Sequence, residues 1–284
     1  MKIKGSTNVV GLIGNPVEHS FSPPMHNAAF KALNMDYVYV AFDVLPENLE
    51  NAIKGGKALN IKGLNVTIPH KINVMEYLNE IDDVARLIGA VNTIDFKNIK
   101  GYNTDGIGAI KAIKEVTPIE NKKVILAGAG GASRAISFYL AKENPEEIII
   151  LNRNTKKAEN LSNDILSSKL TDNVKSGSID EIEKYIRDGD ILVDSTPLGM
   201  YPHTEDAPIA TSDMMHEDLV VNDIVYNPNE TALIKEALKA DAKPVYGIKM
   251  LLYQGAESFK IWTNQEPPID VMEKALKETL NIAD

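Results

Sequence analysis

Val124 to Arg134 reads VILAGAGGASR, an apolar run that breaks into glycines and then into a helix, and it begins more than a third of the way along the chain. A buried strand turning through Gly128 and Gly130 into a helix leaves the first amides of that helix without intrahelical partners, which makes a cradle for a pyrophosphate. In the pattern GxGxxG the first glycine makes the turn, the second admits the phosphates and the third lets helix pack on strand. Here those places hold Gly128, Gly130 and Ser133, the serine being a departure that is still small, with Ala129, Gly131 and Ala132 completing the cradle. A glycine turn can also serve tight packing alone. The context favours the ligand: the turn follows a strand, precedes a helix over 132–142 and sits inside a βαβ unit ending at Leu151.

Working outward, the end of the next strand is where an NAD enzyme usually carries an acid for the ribose 2'-hydroxyl. This chain has Asn152, Arg153 and Asn154 there, followed by Lys156 and Lys157. A guanidinium forks onto a 2'-phosphate, and a nearby ammonium adds charge where a carboxylate would repel it. The expectation is NADP rather than NAD, with Lys157 assisting and Lys156 left on a solvated helix face.

At 284 residues the chain is long enough for two cores, and the residues ahead of the glycine turn must form something else. No stretch approaches a membrane span, and the start MKIKGSTNVV lacks the apolar core of a secretory signal, so the expected location is cytoplasmic. Without cysteine there is no disulfide, thiol nucleophile or thiolate metal site, and the scattered histidines 19, 26, 70, 203 and 216 lack helical zinc spacing, so no metal is expected. A net charge of -10 argues against a nucleic-acid partner and requires any anionic ligand to be held by local donors against the overall field.

The pattern along the chain is α/β. In the first part, strands read over 8–14, 37–42 and up to Thr67, with helices from Ser22, around 48–53 and near 71–78, then a hairpin over 90–102. A helix follows over 105–116. Strands at 124–127, 148–151, 191–195, 220–225 and 244–246 then alternate with helices, which is the signature of a doubly wound parallel sheet of five strands. After Gly247 the chain is helical to its end, with Met250, Leu251, Phe259 and Trp262 on an apolar stripe. This divides the chain into a substrate domain over 1–105, a Rossmann-like dinucleotide domain over 106–247, and C-terminal helices over 248–284 returning to the first domain.

Three polar clusters lie on strand ends of the first domain. In HSFSPPMHN, Ser20 and Ser22 point to one side of an extended segment beside a helix N-terminus, a seat for a carboxylate. Ser22 also reads as a plain helix cap. In NVTIPHK, alternation puts Val66 and Ile68 in the core and Asn65, Thr67 and Lys71 opposite. His70 points away from them, so Lys71 ranks ahead of His70 as proton donor. The third cluster holds Asn92 in GAVNT and Asp105 in NTDG. Asn92 either pairs with backbone or faces a ligand, and Asp105 is either a helix cap or a reactive acid.

These segments together, GNPVEHSFSPPMHN, LNVTIPHK, GAVNT, NTDG, GAGGASR, NRN, STPLGM and GIKMLLYQGAESF, resemble the shikimate 5-dehydrogenases of the shikimate/quinate dehydrogenase family. The resemblance implies NADP-dependent reduction of 3-dehydroshikimate to shikimate. It implies further that Ser20 and Ser22 bind the substrate carboxylate, that Thr67, Asn92 and Gln254 hold ring hydroxyls, with Asn65 and Tyr226 as further substrate-binding residues, and that Lys71 and Asp105 are the catalytic pair. Tyr226 and Gly247 would line the cleft near the nicotinamide, and Thr196 would touch the cofactor. Two departures stand in the 2'-phosphate loop: Asn154 precedes Thr155 where the family commonly has threonine, and Lys157 replaces a second arginine. Gln254 also fits independently, since a polar group on the face of Met250 and Leu251 needs a partner, from substrate or backbone. The resemblance leaves a homodimer open. The rival readings are an NAD-dependent quinate/shikimate dehydrogenase, a non-catalytic dinucleotide sensor, and a folate-type dehydrogenase needing no carboxylate seat.

Overall fold

The computed structural model describes residues 2–282, which fall into two compact units. One comprises the residues up to Thr104 together with those from Gln254 onward; the other is Asp105–Tyr253. The second crossing lies inside a helix, six residues beyond the expected boundary at Gly247.

In the first unit, β1 (Asn8–Gly14), β2 (Tyr37–Asp43), β3 (Gly63–Val66), β4 (Glu80–Ile81), β5 (Thr93–Asp95) and β6 (Lys100–Tyr102) form a mixed sheet in the order β2-β1-β3-β5-β6-β4. β1 is parallel to β2 and β3, and the expected hairpin is the antiparallel pair β5·β6. Helices α1 (Ser22–Ala32), α2 (Leu49–Ala58) and α3 (Asp83–Ile88) belong to this unit. The last of these was not read from sequence, although Asp82 caps it by accepting the Val84 N–H and Gly89 closes it at φ 75°. The expected helix over 71–78 is a single 3-10 turn, Asn73–Tyr77, because the segment is too short and irregular to propagate one. Ile68 is 74% exposed and not in the core, since β3 ends at Val66 and the alternation ends with it.

The second unit opens with α4 (Asp105–Lys114) and continues β7 (Lys123–Ala127), α5 (Gly131–Ala141), β8 (Glu147–Asn152), α6 (Thr155–Ser168), β9 (Val174–Ser178), α7 (Ile182–Ile186), β10 (Ile191–Asp194), β11 (Val220–Asp223), α8 (Ala232–Lys239) and β12 (Lys243–Val245). Its sheet has six parallel strands, not five, in the order β12-β11-β10-β7-β8-β9. This is the Rossmann order, with the reversal of winding between β7 and β10. β7, β8, β10 and β11 are buried almost throughout, as strands covered on both faces must be. β9, reading VKSGS, is the strand missed: it lies on the edge beside β8 and carries no apolar run.

α9 (Gly247–Thr263) carries the chain out of the second unit, and α10 (Ile269–Leu280) packs on α1 in the first. Within the first unit Trp262 donates to the Ile94 carbonyl at 3.0 Å, closing α9 onto β5.

Candidate functional site

The glycine turn sits at the reversal point of the Rossmann sheet. Gly128 adopts φ 108°, a conformation open to glycine, and a Cβ there would lie 2.6 Å from Ser195 Oγ. The Gly128 N–H donates to the Leu151 carbonyl at 2.8 Å, tying the turn to the end of β8. Ser133, in the third fingerprint place, is wholly buried; its hydroxyl accepts the Gly130 N–H at 3.0 Å and meets the Ser195 hydroxyl at 2.6 Å. Ser133 therefore braces the turn from inside. A Cβ on Gly130 or Gly131 would meet nothing within 4 Å, so the space above the first turn of α5 is open.

That space belongs to a cavity of about 480 Å³, whose walls include Gly128, Ala129, Gly130, Asn152, Arg153 and Thr196. Its size suits a cofactor pocket. Arg153 is exposed at its wall and makes no ion pair or hydrogen bond among the described residues, although Asp180 and Glu183 line the same cavity. A guanidinium without a protein partner, beside first-turn amides, fits a dinucleotide carrying a further phosphate. Asn152 donates to the Asn154 carbonyl, and Asn154 caps α6 by accepting the Lys157 N–H at 3.3 Å. The Asn154 side chain is thus occupied as a cap. Lys157 is exposed in the first turn of α6, while Lys156 pairs with Glu159 at 2.9 Å.

Sequence reasoning missed Ser195, Leu198 and Ile179 in this wall. Ser195 follows β10, and its signal was the neighbouring strand end; Ile179 follows the overlooked β9. A second missed feature is the pair Asp194 and Asp223, register partners on β10 and β11, each 1% exposed. Asp194 accepts the Thr196 N–H at 2.8 Å; Asp223 accepts the Val225 N–H and the Thr231 hydroxyl. Burial, with the Asp223 charge added, pushes Asp194 up to about 7, and burial pushes Asp223 up to about 6. Beyond β11, burial raises the Tyr226 phenol, and a Cβ on Gly247 would lie 2.3 Å from the Val225 carbonyl oxygen. Gly247 is thus fixed by close backbone approach.

In the first unit the polar clusters converge. α1 begins at Ser22 with Phe21 as its N-cap, so Ser22 is not the cap; Ser20 Oγ accepts the Ser22 N–H at 3.3 Å. The buried Ser22 hydroxyl neighbours the Tyr39 phenol. That phenol donates to Asn65 Oδ1 at 2.8 Å, and Asn65 Nδ2 donates to the Asn92 carbonyl, to Thr93 Oγ1 and to Ser258 Oγ. Asn65 lies inside the unit, 5% exposed. Asn92 Oδ1 accepts the Thr104 N–H at 2.7 Å, so of its two readings backbone pairing is present. His70 is buried and its Nε2 donates to the Val44 carbonyl at 2.7 Å, an anchoring role. Lys71 is half-buried and its carbonyl accepts the Val91 N–H at 2.8 Å. Thr67 and Gln254 are half-buried, as is Asp105, the first residue of α4 and the one after Thr104.

Residues 12–94 match the shikimate dehydrogenase substrate-binding domain, residues 111–229 the shikimate/quinate 5-dehydrogenase domain, and residues 247–277 the shikimate 5'-dehydrogenase C-terminal domain. A relative from Methanobrevibacter smithii, named shikimate dehydrogenase (NADP(+)), is 68% identical over 99% of this chain and 100% of its own length. The chain belongs to the shikimate dehydrogenase family. A shikimate dehydrogenase crystallised with NADP+ superposes with a TM-score of 0.92 at 52% identity, covering 100% of this chain and 98% of the other. The Listeria monocytogenes family member, crystallised with shikimate and NAD, gives 0.91 at 37% identity, covering 97% and 98%. Among the described residues of the present chain no helix is long and apolar enough to cross a membrane.

Proposed function

We propose that this chain is an NADP-dependent shikimate dehydrogenase, reducing the ketone of 3-dehydroshikimate to the alcohol of shikimate and reversing the reaction with NADP+. The observation that carries the reading is Arg153, without a protein partner beside the glycine cradle where an NAD enzyme keeps an acid, in a chain matched over its whole length by relatives named for NADP and shikimate.

In this reading the first unit holds the substrate and the second the cofactor. Gly128, Gly130 and the first-turn amides from Gly131 to Ser133 would receive the pyrophosphate, Arg153 the 2'-phosphate with Lys157 nearby, and Thr196 the nicotinamide side. Bound NADPH supplies the hydride. Ser20 and Ser22 hold the substrate carboxylate, while Thr67, Asn92 and Gln254 orient the ring through its hydroxyls. Asn65 acts from inside, by fixing its neighbours. As negative charge grows on the ketone oxygen, the Lys71 ammonium stabilises it and gives it a proton. Asp105 is assigned as the acid that works with Lys71, and Tyr226 and Gly247 shape the wall on the cofactor side.

The test is turnover by Lys71→Ala. Its expected kcat is lower by about 10³-fold or more, with shikimate binding little changed; near-normal turnover would remove Lys71 from the mechanism.

A further inference from the structure

We propose that Ser258 is a positioning residue for substrate recognition, its hydroxyl keying the helix that carries Gln254 to Asn65 and, through Thr93, to Asn92. This rests on the proposed assignment of Asn92 and Gln254 to the substrate hydroxyls.

Ser258 lies on α9, one turn after Gln254, and is wholly buried. Its Oγ accepts from Asn65 Nδ2 at 2.9 Å, meets Thr93 Oγ1 at 2.8 Å and Thr104 Oγ1 at 3.3 Å, and donates to the Gln254 carbonyl at 3.1 Å. A helical serine commonly bonds the carbonyl four residues back, so the last contact alone means little. What sets Ser258 apart is three further polar partners from outside its own helix.

Thr93, also wholly buried, completes the link by donating to Asn92 Oδ1 at 3.0 Å. Each hydroxyl has a single hydrogen. If Thr93 gives its own to Asn92, Ser258 can give its hydrogen to Thr93; if Ser258 serves Gln254, Thr93 can turn to Ser258. Both arrangements leave the oxygen positions fixed, so the cluster sets geometry whichever is populated. Alanine would fill the Ser258 site with no hydroxyl to satisfy, whereas a buried hydroxyl is costly unless bonded. Its bonds reach the Gln254 carbonyl directly and Asn92 through Thr93, and the consequence is control of the register between α9 and β5.

The experiment compares Ser258→Ala, Thr93→Val and Thr93→Ser in the full chain, with KM for shikimate, kcat and KM for NADP+ as readouts. Valine keeps the shape of threonine without its hydroxyl; serine keeps the hydroxyl. Ser258→Ala and Thr93→Val are expected to raise KM for shikimate about tenfold, as loss of one hydrogen bond of ordinary strength would. KM for NADP+ should stay within about twofold and Thr93→Ser should restore wild-type KM for shikimate. Unchanged KM for shikimate in both hydroxyl-free variants overturns the proposal, as does a parallel rise in KM for NADP+, which marks general loosening. If Ser258→Ala does not fold, the Thr93 pair decides, since only a hydroxyl effect separates valine from serine. A wild-type protein that turns over shikimate beside unaffected variants overturns this proposal alone; a wild-type protein inert on shikimate overturns the underlying assignment.

Discussion

Asn92 and Thr104 hold each other through backbone and side chain: Asn92 Oδ1 accepts the Thr104 N–H at 2.7 Å, and Asn92 Nδ2 donates to the Thr104 hydroxyl at 3.0 Å. Asp105 is the next residue after Thr104. On the other side of the asparagine, Val91 donates to the Lys71 carbonyl at 2.8 Å. The Asn92 side chain thus fixes the backbone next to Asp105, while the Lys71 carbonyl is held by the backbone of Val91, the residue before Asn92. Asn92→Ala should cost about 2–4 kcal/mol in unfolding free energy, because several buried partners lose their bonds together. Turnover of the folded variant should fall about 100-fold. Denaturant unfolding and steady-state kinetics on one preparation check both, and a stable variant with normal turnover contradicts the role.

Cofactor choice should rest on Arg153. Replacing it with alanine removes a charge-assisted contact to the 2'-phosphate and should raise KM for NADP+ by roughly 10- to 100-fold. NAD, lacking that phosphate, should be used as before. Equal losses with both cofactors would show that Arg153 does not read the 2'-phosphate.

The two ends of the glycine turn should respond differently. Gly128→Ala forces a side chain into φ 108° with Cβ 2.6 Å from Ser195 Oγ, and should destabilise the fold by about 1–3 kcal/mol. Gly130→Val meets an open space and an extended backbone at φ -94°, so the fold should be kept while the branched side chain blocks the phosphate seat. Thermal unfolding beside NADP+ titration separates the two; loss of stability in Gly130→Val with cofactor binding intact would reverse the assignment.

Two buried groups should bend stability in opposite senses over overlapping pH ranges, and single variants separate them. Asp194 is pushed up to about 7 by burial first and by the Asp223 charge second, while the unfolded carboxyl titrates near 3.8. Between those values the folded state holds the extra proton, so stability falls as pH rises through the window. Asp194→Asn keeps an acceptor for the Thr196 N–H and should flatten that fall. His26 is wholly buried with no partner for either ring nitrogen among the described residues, and burial lowers it from 6.5 to about 3. Here the unfolded state binds the proton, so stability is lost as pH falls from 6.5 toward 3, and His26→Leu should remove that limb. Unfolding free energies across the range test both; slopes unchanged by either variant contradict the assignments.

The Rossmann unit was legible because its central strands are buried on both faces and read as apolar runs, with glycines marking the reversal point. β9 was not, since VKSGS on an edge has no hydrophobic period to read. The first unit was harder. Alternation put Ile68 in the core, but the strand ends at Val66 and the residue is exposed. Ser22 looked like the helix cap because it precedes two prolines, whereas Phe21 is the N-cap and Ser20 accepts the Ser22 amide. Spacing along one strand carries no information about partners contributed by another, so Asn65 stood out as a polar strand residue while its partners Tyr39 and Ser258, from two other elements, left no signal.

Hydride transfer between NADP and shikimate is the activity on which every role assigned above depends. The most direct measurement is oxidation of shikimate by the purified protein with NADP+, beside NAD and beside quinate, followed by the absorbance of the reduced nicotinamide. The highest kcat/KM is expected with shikimate and NADP+, with a steep loss with NAD. Preferential use of quinate with NAD, or no reduction of either cofactor in the presence of shikimate, would contradict that activity.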